Sequence, residues 1–62
     1  MMEVGELIEA CNNEWETVHL YSEDRGLIGI YRQHLVMSET RREKLVKTWY
    51  WKEDERALYI KI

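Results

Sequence analysis

Two alternating runs of apolar and polar residues, joined by a charged turn, make up the last third of the chain, residues 47–62. Alternation with a period of two is typical of strands that bury one face, and two such runs predict a β-hairpin. With a turn at Asp54-Glu55, this hairpin carries one apolar face, formed by Trp49, Trp51, Leu58, Ile60 and Ile62.

The same pattern selects the register of the hairpin. In the predicted register Trp51 pairs with Leu58, and Tyr50 faces Tyr59 on the opposite side. A slip of one residue would set Tyr50 against Leu58 and divide the apolar residues between the two faces. The first register is therefore favoured.

The length of the chain, 62 residues, predicts one small domain, residues 1–62. A chain of this size buries only about 60% of the surface that it exposes when unfolded, so a covalent staple or an oligomer commonly adds stability. The single cysteine, Cys11, excludes an internal disulfide and a Cys-rich zinc site. We therefore expect no cofactor and no metal, and we expect a homodimer.

The hydropathy of the chain predicts a soluble cytoplasmic protein. The longest apolar runs, such as residues 27–31, are too short to span a bilayer. The acidic N-terminal residues lack the basic and then apolar pattern of a signal peptide. A lone cysteine fits a reducing compartment, and no membrane partner is expected.

The net charge of −3 conceals an asymmetry between the two halves of the chain. Residues 1–31 carry seven acids and one arginine, whereas residues 32–62 carry eight basic and five acidic residues. Such a difference favours head-to-tail association or an acidic surface directed at a basic partner. The alternative is that these charges are the solvated faces of a small domain.

An amphipathic helix is predicted near the N-terminus, because apolar residues recur there at spacings of three and four between glutamates. Asn12-Asn13 follow as stop residues, and Gly5 weakens the helix by up to about 1 kcal/mol relative to alanine. The helix therefore needs a surface against which to pack its apolar residues, Val4, Leu7, Ile8 and Cys11.

A second hairpin is predicted upstream of the first, with strands over residues 14–21 and 27–31 around a turn at residues 22–26. In an alternative interpretation, the second of these strands extends to His34 or Val36. Gly26 is suited to a positive φ in the turn, and mid-strand glycine at position 29 indicates a bulge or the close approach of a ring or backbone.

The alternation in this hairpin separates an aliphatic face from an aromatic one. Val18 and Leu20 share the aliphatic face, where an odd-residue turn pairs them with Ile30 and Ile28. The opposite face of the first strand then carries Trp15, Thr17, His19 and Tyr21.

Residues 38–46 connect the two hairpins and predict a short helix, because Ser38 is a good N-cap and is followed by an acid and then by bases. Only Leu45 and Val46, with Met37, offer anchors to a core, so the segment is expected to be a connector. An irregular loop is the alternative.

The predicted fold class is α+β: an N-terminal helix packed on one face of an antiparallel sheet built from two β-hairpins, with a short helical connector between them. One helix covers one face only. The second face is predicted to expose an aromatic-rich set, namely Trp15, Thr17, His19, Tyr21, Leu27, Tyr31, Tyr50 and Tyr59.

This aromatic face predicts a site for a protein partner or for a second copy of the chain, since Tyr and Trp are enriched at interfaces. The predicted contact residues are the anchors Trp15, Tyr21, Tyr31, Tyr50 and Tyr59, with Glu6 and Glu9 as an acidic patch. One alternative is that the rings only shield the second side of a thin sheet.

A nucleic-acid-binding module is the other alternative, with bases stacked on the sheet aromatics and phosphates contacted by the basic C-terminal half. Glutamates flank the aromatic face, and acids are interleaved with the basic residues of the connector. Nucleic acid is therefore the less favoured partner.

Catalytic chemistry finds little support in the residue pattern. His19, His34 and Cys11 match no metal-binding spacing. The sequence contains no Gly-x-Ser-x-Gly turn, no Gly-rich loop before a helix and no paired carboxylates on a buried face. We expect a non-enzymatic protein without a small-molecule substrate.

The succession of a short Leu-Ile-Glu helix, a hairpin and a closing strand pair resembles small orphan proteins encoded by phages and prophages of Gram-positive bacteria. The matching pieces are residues 6–9, 18–21, 46–51 and 58–62. The resemblance implies a protein that binds a host or defence protein, in the manner of small anti-CRISPR or polymerase-inhibiting proteins. It carries over no functional residue, because that group shares no site motif.

Overall fold

The computed structural model describes residues 2–11, 14–33 and 37–62. The elements in chain order are α1 (Val4–Ala10), β1 (Thr17–Ser22), β2 (Gly26–Arg32), α2 (Glu39–Arg42), β3 (Thr48–Lys52) and β4 (Ala57–Lys61). This is the predicted succession of elements. The predicted stop at Asn12-Asn13 and the extension of the second strand to His34 or Val36 lie outside the described residues.

The four strands form one mixed sheet in the order β2-β1-β4-β3. Both hairpins are antiparallel, but β1 and β4 pair in parallel at the centre of the sheet. The prediction of a purely antiparallel sheet is therefore wrong. The parallel pair results from the path of the connector. This segment crosses from β2 at one edge of the sheet to β3 at the other, and β4 then returns beside β1.

The C-terminal hairpin has the predicted register. Trp51 lies opposite Leu58, and Tyr50 lies opposite Tyr59. The turn between the strands places Arg56 at a φ of 51°, a left-handed conformation that is uncommon for a residue with a Cβ. The Arg56 guanidinium reaches back to the Glu14 carbonyl oxygen, with Nη2 donating over 2.7 Å.

The first hairpin departs from the predicted register at a β-bulge. Its tip pairs as predicted, with Tyr21 opposite Leu27 and the positive φ of 69° at Gly26. Beyond the tip, Ile28 is the extra residue, so that Leu20 lies opposite Gly29. The bulge therefore moves every later residue of β2 to the face opposite the predicted one.

Both features predicted from the glycine in mid-strand, a bulge and the close approach of a ring, are present at Gly29. It adjoins the bulge, and a Cβ at this position would lie 3.2 Å from the ring of Tyr31. That ring folds back along β2 over the space that the missing side chain leaves open. A larger residue at position 29 would displace it.

The N-terminal helix ends at Ala10, with Cys11 as its C-cap. At its start, the Glu6 carboxylate accepts a 3.0 Å hydrogen bond from the Glu3 amide. Two backbone bonds tie this end to the connector: the Val4 amide donates to the Lys44 carbonyl, and the Val46 amide donates to the Met2 carbonyl.

The connector contains the predicted short helix, and the Ser38 hydroxyl caps it by accepting from the Arg41 amide. Met37 is buried at the core, as predicted, and Val46 is half-buried against it. Leu45, by contrast, is 50% exposed, so the prediction that it anchors the connector is wrong.

The core lies on one face of the sheet. Val4 and Leu7 of α1 belong to the same buried cluster as the strand residues beneath them. Burial of this apolar area is the main favourable contribution to folding in a chain of this size. The buried cluster comprises Val4, Leu7, Trp15, Val18, Leu20, Met37, Leu58 and Ile60.

Candidate binding face

The face of the sheet turned away from the core cluster is the candidate site, and we call it the open face. Residues that lie opposite one another in neighbouring strands share a face, so the strand registers define its membership. The open face consists of Thr17, His19, Tyr21, Leu27, Ile30, Arg32, Thr48, Tyr50, Lys52, Ala57, Tyr59 and Lys61.

A row of three stacked rings crosses the open face. The ring centroids of His19 and Tyr59 lie 4.3 Å apart with an interplanar angle of 13°. Those of Tyr59 and Tyr50 lie 4.8 Å apart with an angle of 1°. We call His19, Tyr59 and Tyr50 the ring row, and it runs from β1 through β4 to β3.

Ile30 continues this line on β2, because it lies opposite His19. Ile30 is 47% exposed and Tyr50 is 50% exposed. Both ends of this cross-strand line are therefore exposed to solvent. Across all four strands the line presents an apolar and aromatic surface.

The ring spacing shows how the rings stand on the sheet. Neighbouring strands are about 4.7–4.9 Å apart, which is close to the distances between the ring centroids. Rings at this spacing with nearly parallel planes stand upright, with their faces against one another and their edges toward solvent. At the ends of the row, His19 is followed by Ile30 on β2, and the outer face of Tyr50 lacks a ring partner among the described residues.

A hydrogen-bonded group at the turn end supports the ring row. The Tyr59 hydroxyl donates to the Glu55 carboxylate over 2.6 Å, and Lys52 Nζ lies 3.1 Å from the other oxygen of that carboxylate. The hydrogen bond from Tyr59, then the one from Lys52, lowers the pKa of Glu55 from its ordinary value. The same contacts raise the pKa values of Tyr59 and Lys52.

An ion pair closes the other end of the open face. Lys61 Nζ lies 2.7 Å from Glu23, and this hydrogen bond lowers the pKa of Glu23 and raises that of Lys61. Both lysines of the open face are thus engaged by glutamates from the turns. Arg32 is the remaining cation on the strands of this face.

The prediction that Trp15 lies on the aromatic face is wrong. Trp15 is 6% exposed and belongs to the core cluster. The prediction extended the alternation of β1 back to Trp15. The alternation ends before this residue, because β1 begins at Thr17 and the chain bends at Glu16. Its Nε1 is buried with no hydrogen-bond partner among the described residues.

The predicted position of Tyr31 is also wrong. The bulge in β2 places Tyr31 opposite Val18, on the core face, where it is half-buried against the cluster. Its hydroxyl is hydrogen-bonded to Nη1 of Arg41. Tyr31 thus helps to cover the core.

The other three aromatic anchors lie on the open face as predicted. Tyr50 is exposed, whereas Tyr21 and Tyr59 are half-buried. Whether these residues contact a partner stays a prediction.

The two predicted acidic residues lie on α1, away from the open face. Glu6 caps the start of the helix, and Glu9 forms a 3.0 Å ion pair with Arg42 of α2. The Glu9 pair and the Lys61–Glu23 pair both join the acidic half of the chain to the basic half. Part of the charge asymmetry is therefore neutralised within the molecule.

The cross-strand line of Ile30, His19, Tyr59 and Tyr50 is called the central line below. The sequence prediction missed two of its residues. His19 was predicted on the correct face but was not chosen as an anchor. Its position opposite Tyr59 depends on the parallel pairing of β1 and β4, which the residue pattern did not indicate. Ile30 was assigned to the core, and only the bulge brings it to the open face. The mid-strand glycine next to Ile30 was the one available signal.

Reactive side chains form no evident chemical centre in the described part of the chain. No group of three or more His, Cys, Asp or Glu residues there has the geometry of a metal site. Burial, then the nearby Glu14, raises the pKa of the Cys11 thiol and so opposes formation of a thiolate. His34, the third member of the set considered above, lies outside the described residues.

The helices that the structure describes include none that is long and apolar enough to cross a membrane. In comparisons with known proteins, no family model, no curated protein and no solved structure matched this chain.

Proposed function

We propose that this chain is a small non-enzymatic binding protein whose open face docks on another protein. The observation that carries the proposal is the ring row continued by Ile30, an apolar line across four strands that no described helix covers. Upright rings held by their neighbours offer contact area at low conformational cost, which is what interface hot spots require.

The geometry of the rings supports a protein partner over a nucleic acid. Base stacking needs an open aromatic face. In the ring row, both faces of Tyr59 are already covered, by His19 and by Tyr50. Apart from the outer face of Tyr50 at the sheet edge, a partner that lies on the sheet therefore meets ring edges and the Ile30 side chain, a surface that suits apolar side chains.

The charges of the open face support the same choice. A nucleic-acid platform needs cations that are free to replace counterions on phosphates. Lys52 and Lys61 are instead paired with Glu55 and Glu23. Those acids would also repel a phosphate backbone.

The resemblance to phage-encoded orphan proteins implies that the partner is a host or defence protein and that binding inhibits it. This identity of the partner stays a prediction. A cytoplasmic location would accord with it.

The test substitutes Ile30→Glu, at the β2 end of the central line. A charge buried against a partner costs far more than the same charge in water, so binding through the open face should weaken at least tenfold. The matched control is Leu45→Glu, which places the same charge on a side chain of similar exposure away from the open face.

Capture from the lysate of a bacterial host, followed by titration of the captured protein, provides the measurement. The proposal expects a protein that the wild type and Leu45→Glu retain and that Ile30→Glu loses. Equal retention by all three variants, with each shown to be folded by circular dichroism, contradicts docking through the open face.

The nucleic-acid alternative has a separate test. Salt-dependent retention of single-stranded DNA or RNA, weakened by Arg32→Glu, would support the alternative. The proposed function expects no such retention at low salt.

A further inference from the structure

The outer edge of β3 is the second unpartnered feature of the sheet. β3 lies at the end of the strand order and pairs only with β4 among the described strands. Natural proteins protect such edges with charges, prolines or bulges. β2, at the opposite edge, has a bulge and Arg32, whereas the centre of β3 reads Trp49-Tyr50-Trp51 with no charge.

The pattern of backbone bonds shows which groups of β3 are free. The Ile62 amide donates to the Tyr21 carbonyl of β1, so in β4 the even-numbered residues turn their backbone groups toward β1. The odd-numbered residues, including Tyr59, therefore turn theirs toward β3. The backbone N–H and C=O groups of Tyr50, opposite Tyr59, therefore bond to β4. Those of Trp49 and Trp51 point away from β4, outward from the edge of the sheet.

We propose that a second copy of this chain pairs with the β3 edge, antiparallel, around a two-fold axis at Tyr50. This proposal goes beyond the proposed function, because it concerns the sheet edge rather than the open face. Trp49 of each copy then exchanges backbone hydrogen bonds with Trp51 of the other copy. Tyr50 faces its own counterpart in the close, non-hydrogen-bonded position.

The sequence around Tyr50 matches this register. Tryptophans flank Tyr50 on both sides, so each aromatic residue meets an aromatic residue of the second copy. One step beyond each end of β3, the same register sets Lys47 of one copy opposite Glu53 of the other. Centring the axis on Trp49 or on Trp51 would set tryptophan against lysine or glutamate.

The pairing also completes two surfaces. Tyr50, whose outer face lacks a ring partner among the described residues, stacks on its counterpart and extends the ring row from three rings to six. On the other face, the 51% exposed Trp49 and the half-buried Trp51 border an apolar cavity of about 260 Å³ with Cys11 and Glu14. The tryptophans of the second copy lie beside that cavity.

The assembly closes after two copies. A two-fold axis uses the β3 edge of both chains, and the edges that remain are the bulged β2 strands. The result is a continuous eight-stranded sheet with two joined open faces.

Charge reversal at the Lys47–Glu53 contact tests the register. Each dimer contains two such contacts, so Lys47→Glu alone creates two pairs of like charges, as does Glu53→Lys alone. We expect each variant to raise the dissociation constant of the dimer about tenfold at low ionic strength, and less at high salt. Lys44→Glu, another exposed lysine, controls for the change in net charge.

An equimolar mixture of the two variants gives the sharper result. In a heterodimer of Lys47→Glu with Glu53→Lys, both contacts again join opposite charges. Sedimentation equilibrium and native mass spectrometry should therefore show recovery of the wild-type affinity in the heterodimer alone. A mixture that associates no better than the separate variants overturns the proposed register.

Amide hydrogen exchange across a concentration series provides a second measurement on the unmodified chain. The amides of Trp49 and Trp51 should gain protection as dimer forms, whereas that of Tyr50 is already protected in the monomer. A chain that stays monomeric at millimolar concentration overturns the proposal, as does a dimer in which these two amides exchange unchanged.

The two proposals fail separately. Ile30 lies on β2 at the far end of the sheet from β3, so Ile30→Glu should leave self-association unchanged. Loss of dimer in the charge variants with normal behaviour of Ile30→Glu in sedimentation identifies the edge as the self-association site.

Discussion

The two faces of the sheet use the same strands for different purposes. On β4, Leu58 and Ile60 are fully buried in the core cluster, whereas Tyr59 between them lies on the open face. The covered face buries mainly aliphatic strand residues, with Tyr31 and two tryptophans on the edge strands β2 and β3, and it contributes the apolar burial on which folding depends. The open face is aromatic, is organised by stacking and hydrogen bonds, and stays accessible.

This difference shows how a short chain can separate stability from recognition. Alternation along a strand assigns neighbouring residues to opposite faces, so substitutions one position apart test different properties. The predictions below use such neighbours, beginning with the largest expected effect.

Leu58→Ala should have the largest effect. Deleting a fully buried leucine side chain costs about 2–5 kcal/mol. A chain of 62 residues is stable by only about 3–9 kcal/mol in total. We therefore expect Leu58→Ala to lose about half or more of the free energy of unfolding, as measured by far-ultraviolet circular dichroism during urea titration.

The matched control for Leu58→Ala is Tyr59→Ala on the adjacent position. It removes a ring from the open face and the hydrogen bond to Glu55, and its loss of stability should be much smaller. Equal losses in the two variants would contradict the division of the sheet into a covered face and an open face.

Threonine substitutions at two β-branched residues should separate the faces further. Val18→Thr buries a hydroxyl in the core and should reduce the free energy of unfolding by about 1–3 kcal/mol. Ile30→Thr keeps β-branching at an exposed position and should change it by no more than about 0.5 kcal/mol. Urea titration of both variants measures the difference.

The placement of Ile30 depends on the bulge, so this pair also tests the register of the first hairpin. Without the bulge, Ile30 would lie opposite Val18 in the core. A cost for Ile30→Thr that equals the cost for Val18→Thr would restore the register predicted from the sequence.

The smallest expected effect is the contribution of Glu55 to the pH dependence of the free energy of unfolding. Hydrogen bonds from Tyr59 and Lys52 lower the pKa of Glu55 from its ordinary value of 4.5 in the folded chain. The folded state therefore binds this proton less readily than the unfolded state does. The stabilisation is present above the ordinary value and is lost as the pH falls below it, through the lowered pKa.

Glu55→Gln should remove this part of the acid dependence. Thermal unfolding measured between about pH 6 and pH 3 should show a shallower decline for the variant than for the wild type. Glu39→Gln, on the exposed start of α2, provides a control with the same chemical change. An identical decline in the wild type and Glu55→Gln would contradict the contribution of this hydrogen-bonded group.

Much of the local structure could be predicted from residue patterns. The alternation in residues 48–61 was sufficient to define the strands, the register and the Tyr50–Tyr59 pair. Helix α1 and the Ser38 cap followed from spacing and residue type. Each of these features depends on neighbours that are close in sequence, and so the pattern contains the required information.

The candidate site was predicted only in part. Tyr21, Tyr50 and Tyr59 were placed correctly, but Trp15 and Tyr31 were not. Trp15 lies before β1, where a bend ends the alternation, and Tyr31 lies beyond a bulge that reverses it. Both errors came from extending a period of two past the point where the backbone is regular.

The sequence by itself determined the elements, the face of each residue within a regular strand and the pairing within the C-terminal hairpin, because these follow from local spacing and turn residues. Only the tertiary structure decided that β1 and β4 lie in parallel, that Ile30 joins the open face and that His19 stacks on Tyr59. Those features depend on how the connector crosses the sheet and where one extra residue is accommodated, and both are settled by packing between segments that are distant in the chain.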